Sequence, residues 1–261
     1  LGLAAAMSMA EMVADLILVG RNPEKLARVS SLFDDGVTTA RADLSIMTEV
    51  RALADQLSEQ DRIDVLVNNA GVLVNERTET REGIELSFAT NLLGHYILTE
   101  ALIPKLIEST SSRIINISSG GMYTQKIRPH DLETDRIEYK GPDAYARTKR
   151  GQVILTELWA DRLADHEVAV HSMHPGWADT PQVEDTLPLF RKTVGRFLRT
   201  PEQGADTIVW LASSHEAAQT NGKFWHDRQE RPTHFVERTR ETAAQRDELL
   251  EQLESYASRS A

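Results

Sequence analysis

The sequence predicts an α/β fold, a single domain on a doubly wound parallel sheet, and three observations lead there. Short apolar runs of strand length alternate with amphipathic stretches of helical length, the pattern of a parallel sheet covered on both faces. At 261 residues, 41% of them hydrophobic, the chain is long enough to bury a sizeable core. No internal repeat or low-complexity linker divides it, so one domain is expected over 1–234 and a charged tail over 235–261.

The elements follow in order. DLILVG (15–20) reads as a buried strand. Asn22 before Pro23 marks a helix start, a capping side chain ahead of a first-turn proline. A short strand is expected near VTTARA (37–42), and Ser45 is expected to cap a helix over 46–59. IDVLVNNAG (63–71) is a strand that runs into a small-residue loop. A long helix over 81–107 leads to the strand RIINIS (113–118) and then to a polar connection over 119–142. The next helix, 143–165, carries Val153, Ile154, Leu158 and Trp159 at core-facing spacing. VAVHSM (168–173) is a strand, and Thr200, Pro201 and Gln203 form a capping box with proline at the first helical position. GKFW (222–225) reads as a last short strand. The tail has Leu249, Leu250, Leu253 and Tyr256 as its apolar stripe; it reads as a helix, expected to remain a solvated appendage rather than to dock.

Composition narrows the function. The net charge is −11 and no basic stripe is present, which argues against a nucleic-acid partner. With no cysteine, thiol catalysis, disulfides and thiolate metal sites are excluded. There is no run of about 18 apolar residues. The opening also lacks the basic flank and cleavage site of a leader peptide, so a cytoplasmic location is expected. His171 and His174 lack the spacing of a helical metal pair, and the acidic residues of 131–138 fit no calcium loop, so no metal is expected. Among the tryptophans, Trp177 has the best claim to touch a ligand because it follows a Pro-Gly turn.

The chemistry centres on DAYARTKRG (143–151), where Tyr145 and Lys149 are four apart on one helical face. An ammonium beside a phenol favours the phenolate and is expected to lower the tyrosine pKa from about 10. Such a tyrosine can exchange a proton with a substrate oxygen. Ser118 and Ser119 stand where the strand RIINIS ends, and in open parallel sheets ligands bind beyond the carboxyl ends of the strands. Asn68, Asn69, Ala70 and Gly71 end another strand with small residues that admit a flat ligand. Asn91 sits inside a predicted helix, where asparagine is a poor helix former and needs a reason.

Together with Gly2 in LGL and PGWADT (175–180), these motifs resemble the short-chain dehydrogenase/reductase family over nearly the whole length. The strings SSGGM, YARTKRGQVILTELWA, SMHPGWADTP, QGADTIVWLA and GKFWHDR narrow the resemblance to one subgroup of it. The resemblance implies a Rossmann-type fold and an oxidoreductase that interconverts a carbonyl and an alcohol by hydride transfer. Tyr145 would be the general acid/base. Lys149 would tune it and hold the nicotinamide ribose, and Ser119 would bind the reacting oxygen. Asn91 would support a water-linked proton relay to Lys149. Asn68, Ala70 and Gly71 would lie along the adenine side, and Asp43 would meet the adenine ring. Pro175, Gly176 and Thr180 would border the nicotinamide. Relatives often pair through their long helices, so a homodimer is implied as well. The residue after DLILV decides the cofactor: Gly20 stands where an acidic residue would select NAD(H), and Arg21 follows. A guanidinium grips a 2′-phosphate with two hydrogen bonds, so NADP(H) is favoured, with NAD(H) as the alternative. The partner expected is a small-molecule carbonyl or alcohol; the rival reading is a non-catalytic dinucleotide-binding protein.

The sequence departs from the family pattern in three places. The family opens with a strand and a T-G-x-x-x-G-x-G turn, of which only the last glycine, Gly2, is matched here. The chain starts at Leu1 rather than Met, and the reading is a truncated record lacking the first strand and most of the glycine-rich turn, in which cofactor binding is in doubt. Val13 replaces a usual glycine at a helix end. Ser119 and Tyr145 are 26 positions apart, further than in the family's short form. The extra segment, 122–141, would be a substrate wall or lid, or else a surface excursion.

Overall fold

A computed structural model describes residues 1–12, 15–177 and 198–259. Strands β3 (Val65–Asn68), β4 (Ser112–Ile117), β5 (Val168–Met173), β6 (Lys223–His226) and β7 (Gln229–Arg231) form one sheet in that order. It is parallel as far as β6, and β7 closes it antiparallel. β1 (Leu16–Gly20) and β2 (Val37–Arg41) form a separate parallel pair. No strand among the described residues is hydrogen-bonded to the second edge of β1 or of β3. Burial follows suit. Every residue of β4 and β5 is buried, β3 is buried only at alternate positions, and β1 has no buried residue. This is the expected α/β fold with a mostly parallel sheet.

The two faces are legible in the strand alternation. On β4, Ile115 and Ile117 point to one face, where they meet Met173 of β5. Ala4 and Ala5 of α1 (Gly2–Ala10) and Ile208 of α7 (Pro201–Ser213) complete that cluster. Ile114 points the other way, into the larger cluster with Val170 and with α3 (Met47–Ser58), α5 (Gly94–Glu108) and α6 (Gly141–Arg162). α2 (Pro23–Ser30) starts as predicted, the Asn22 side chain accepting from the Lys25 amide at 2.6 Å. α7 carries the expected capping box on Thr200 and Gln203.

Two helix expectations are corrected. Ser45 does not cap α3, because its hydroxyl donates to Asp43 at 2.7 Å. The carboxylate of Glu82 instead accepts from the Met47 amide at 2.6 Å and the Thr48 amide at 3.2 Å, a distant residue that no local pattern reveals. The long helix begins later than predicted, at α4 (Leu86–Phe88), where Glu85 caps it, and it passes through a π-helical turn (Ala89–Leu93) before α5. The hairpin into β7 turns on Asp227 and Arg228, both with positive φ, which lacks the usual glycine signal.

The largest correction concerns the tail. α9 (Ala243–Ala257), which follows the short α8 (His215–Ala218), docks rather than standing in solvent, and Leu249 and Leu253 are fully buried in the main core. Tyr256 packs edge-on against Phe88 at 5.0 Å, its hydroxyl donates to Glu133 at 2.5 Å, and Arg246 pairs with Glu157. The Tyr256–Glu133 contact anchors the extra segment, in which Met122, Ile127 and Asp131 are buried and Tyr139 donates to Glu85 at 2.9 Å. Segment 122–141 is thus a packed layer between α4 and α9, not a surface excursion.

Candidate active site

A polar seam runs across the sheet just before its strands end. Asn68, Asn116 and Ser172 are in register on β3, β4 and β5. Asn68 Nδ2 donates to Asn116 Oδ1 and to Thr99 Oγ1, both at 2.9 Å, and Asn116 Nδ2 donates to Thr156 Oγ1 at 2.9 Å. These bonds tie β3 and β4 to α5 and α6. They use both Nδ2 protons of Asn68, whose side chain is buried.

Beyond the seam, the two serines part. Ser118 is buried and donates to the Lys149 carbonyl at 2.8 Å, fixing α6 against the end of β4. Ser119 turns outward: its Oγ accepts from the Gly121 amide at 3.2 Å, and its hydroxyl stands near enough to Tyr145 to favour the phenolate. Proline near the start of α6 pre-sets its first turn, which places Tyr145 opposite Ser119.

Lys149, one turn on, is buried, and its Nζ donates to the Ile117 carbonyl at 2.8 Å and to Gln152 Oε1 at 3.0 Å. The ammonium lies over the Tyr145 ring, 5.5 Å from its centre. The electrostatics therefore differ from the expectation. Burial raises the Tyr145 phenol to about 12, with the Ser119 hydroxyl pulling the other way. Burial also brings the Lys149 ammonium down to about 7. Desolvation, not the neighbouring cation, dominates the phenol here.

Asn91 has its reason. It lies in the π-helical turn, a local widening often found at functional sites. Its Oδ1 accepts from the Val72 amide at 2.7 Å, and its Nδ2 donates to the Val72 carbonyl at 2.8 Å and to Thr148 at 3.1 Å. It thereby holds the loop after β3 against α6. Gly71 in that loop faces the lysine; a Cβ there would stand 3.4 Å from Lys149 Nζ and 3.5 Å from Asn91 Oδ1. Ala70 precedes it, half-buried.

The remaining predicted residues fall into two groups. At the ends of β1 and β2, Arg21 is 62% exposed and stands 3.8 Å from Asp43. Asp43 is otherwise occupied by Ser45, accepting from its amide at 3.0 Å. Gly2 opens α1 against the loop after β3; a Cβ there would come within 2.6 Å of Asn69 Nδ2. After β5, Pro175 is half-buried and Gly176 turns with φ +75, its amide donating to His174 Nδ1 at 3.0 Å. Trp177 is exposed beside this turn. Thr180 and Val13 lie outside the described residues.

The profile of the family described as short chain dehydrogenase matches residues 1–131. The human protein named dehydrogenase/reductase SDR family member 12 is 40% identical over 266 residues, covering 98% of this chain and 83% of its own length. The chain belongs to the short-chain dehydrogenase/reductase family. The human relative is of the subgroup to which the longer strings pointed. Among solved structures, a Mycobacterium Paratuberculosis protein superposes with a TM-score of 0.79 at 25% identity, over 98% of this chain and 89% of that one. The 3-ketoacyl-(acyl-carrier-protein) reductase of Brucella melitensis, solved with NADH, superposes with a TM-score of 0.69 at 25% identity, over 85% of this chain and 90% of that one.

Family members bind nicotinamide dinucleotides, and the residues present suit such a ligand. Gly71 places no side chain against Lys149 Nζ, which a Cβ there would approach to 3.4 Å, so the loop after β3 does not itself block the lysine. Arg21 offers an exposed guanidinium, held only by a solvated ion pair of the kind worth about 0–1 kcal/mol. Two residues of the site were missed by the sequence reading: Gln152, which receives the lysine, and His95 behind it. Their helical offsets, three after Lys149 and four after Asn91, were the available signal.

Proposed function

We propose that this chain reduces a small-molecule carbonyl to an alcohol using NADPH, with Tyr145, Ser119, Lys149 and Asn91 as its working residues. The observation that carries the reading is the neighbourhood of the Ser119 hydroxyl and the Tyr145 phenol at the end of β4, with Lys149 one turn further along α6. The nicotinamide, when bound, supplies hydride to the carbonyl carbon. Tyr145 gives its proton to the oxygen as charge develops there. Ser119, whose Oγ is oriented by the Gly121 amide, turns its one proton from Tyr145 to the same substrate oxygen. Lys149 supplies donors to the ribose and a positive charge beside the site. Asn91 keeps the loop after β3 and α6 at a fixed separation. Held at about 12 by burial, the Tyr145 phenol is protonated across the physiological range, the state a reduction needs.

NADPH is favoured over NADH by Arg21 and by the absence of a carboxylate at Gly20. Losing a charge-assisted hydrogen-bonded pair costs about 1.5–3 kcal/mol. Arg21→Ala is therefore expected to weaken NADPH binding roughly 10- to 100-fold and to leave NADH binding nearly unchanged, read by nicotinamide fluorescence titration. An equal loss for both cofactors would remove Arg21 from the 2′-phosphate. The reaction itself is tested by following NADPH oxidation with a panel of aldehydes, ketones and quinones; consumption of none of them would defeat it.

A further inference from the structure

The Lys149 ammonium is one end of a buried chain. Nζ donates to Gln152 Oε1 at 3.0 Å, and Gln152 Nε2 lies 2.8 Å from Nδ1 of His95 on α5. All three side chains are buried. Proton bookkeeping sets the polarity of the chain. An ammonium can only donate, so Gln152 turns its oxygen to Lys149 and its amide protons to His95. His95 Nδ1 then accepts, and the imidazole is neutral with its proton on Nε2, an atom with no hydrogen-bond partner. A charged His95 would set an N–H against the Gln152 amide. Burial, followed by the Lys149 charge, holds this ring down at about 3, against the pull of the Asn91 main chain. In this tautomer the histidine accepts from Gln152 and opposes its flipping.

We infer that Gln152, locked by His95, is a positioning residue for Lys149 that holds the ammonium toward the active site and keeps it charged. The inference rests on the proposed carbonyl reduction for its functional meaning, but its geometry stands independently. A buried lysine tends to shed its proton, and each oxygen that accepts from Nζ opposes that tendency. Two such oxygens are present, the Ile117 carbonyl and Gln152 Oε1. Among the described residues, the titratable groups near Nζ are Tyr145 on its own helix and His95 across on α5. β4 and the loop after β3 bring only the Ile117 carbonyl and Gly71.

The test is a pH titration of Lys149 by carbon-13 NMR of protein labelled at lysine Cε, with the signal assigned by its loss in Lys149→Met. In Gln152→Leu the proton affinity of Lys149 is expected to fall by about tenfold or more, and in Gln152→Glu to rise by about tenfold or more. The alkaline limb of kcat/KM for carbonyl reduction should move in the same two directions. A residue that merely packs α5 against α6 would loosen the fold in both variants without moving the lysine in opposite senses. Unchanged titration, or a shift of the same sign in both variants, overturns the inference. If Gln152→Leu does not fold, the sign of the Gln152→Glu shift decides alone. The titration needs no substrate. Failure of every carbonyl to react would sink the proposed reaction and leave the relay to be judged by the lysine.

Discussion

Tyr145→Phe is expected to lower carbonyl turnover by roughly a hundred- to ten-thousandfold while NADPH affinity stays within about twofold. The substitution removes one oxygen and keeps the ring, which is half-buried in the first turns of α6. Its backbone place is secured by neighbours other than the phenol oxygen, since Ser118 holds the Lys149 carbonyl and Asn91 holds Thr148. What is lost is the proton donor and half of the pair of hydroxyls that meets the substrate oxygen. Lys149 keeps its bonds to Ile117 and Gln152, so the cofactor's donor is still present. A steady-state assay beside a cofactor titration separates these effects. If cofactor affinity fell in step with turnover, the phenol would be a binding group and not the acid.

Leu253→Ala is expected to destabilise the protein by about 2–5 kcal/mol, a large fraction of the roughly 5–15 kcal/mol that holds a domain folded. Leu253 is fully buried, one turn from the equally buried Leu249, in the cluster formed by α3, α5 and α6. Arg246–Glu157 and Tyr256–Glu133 brace the helix on either side, so it cannot collapse into the space left behind. The measurement is urea unfolding, with Glu248→Ala on the same helix as the control, expected within about 0.5 kcal/mol of the parent. A Leu253→Ala change as mild as the control would mean that α9 is the loose appendage its charged sequence suggested.

That contrast shows what could be read in advance. The four long strand runs, the Asn22 and Thr200 helix starts and the Tyr145–Lys149 helix depend on local chemistry, and all form near their predicted places. The choice of Ser119 over Ser118 rested on resemblance, and the geometry separates the two by their partners. What was not legible depends on contacts distant in sequence. Glu82 caps a helix that begins 35 residues earlier. The apolar stripe of α9 fits a core slot that no tail sequence describes. The sign of the Tyr145 shift reflects burial, which a residue spacing cannot report. His95 and Gln152 look unremarkable until two helices are packed together.

The account turns on one transfer: hydride to a carbonyl carbon, with the proton from Tyr145 going to its oxygen. The most direct measurement incubates the protein with NADPH deuterated at the reactive face of the nicotinamide and a ketone it consumes, then locates the label by mass spectrometry. Deuterium on the carbinol carbon, absent when Tyr145→Phe replaces the parent for the same interval, is the expected result. NADPH consumed with no deuterium in any alcohol product would contradict the account.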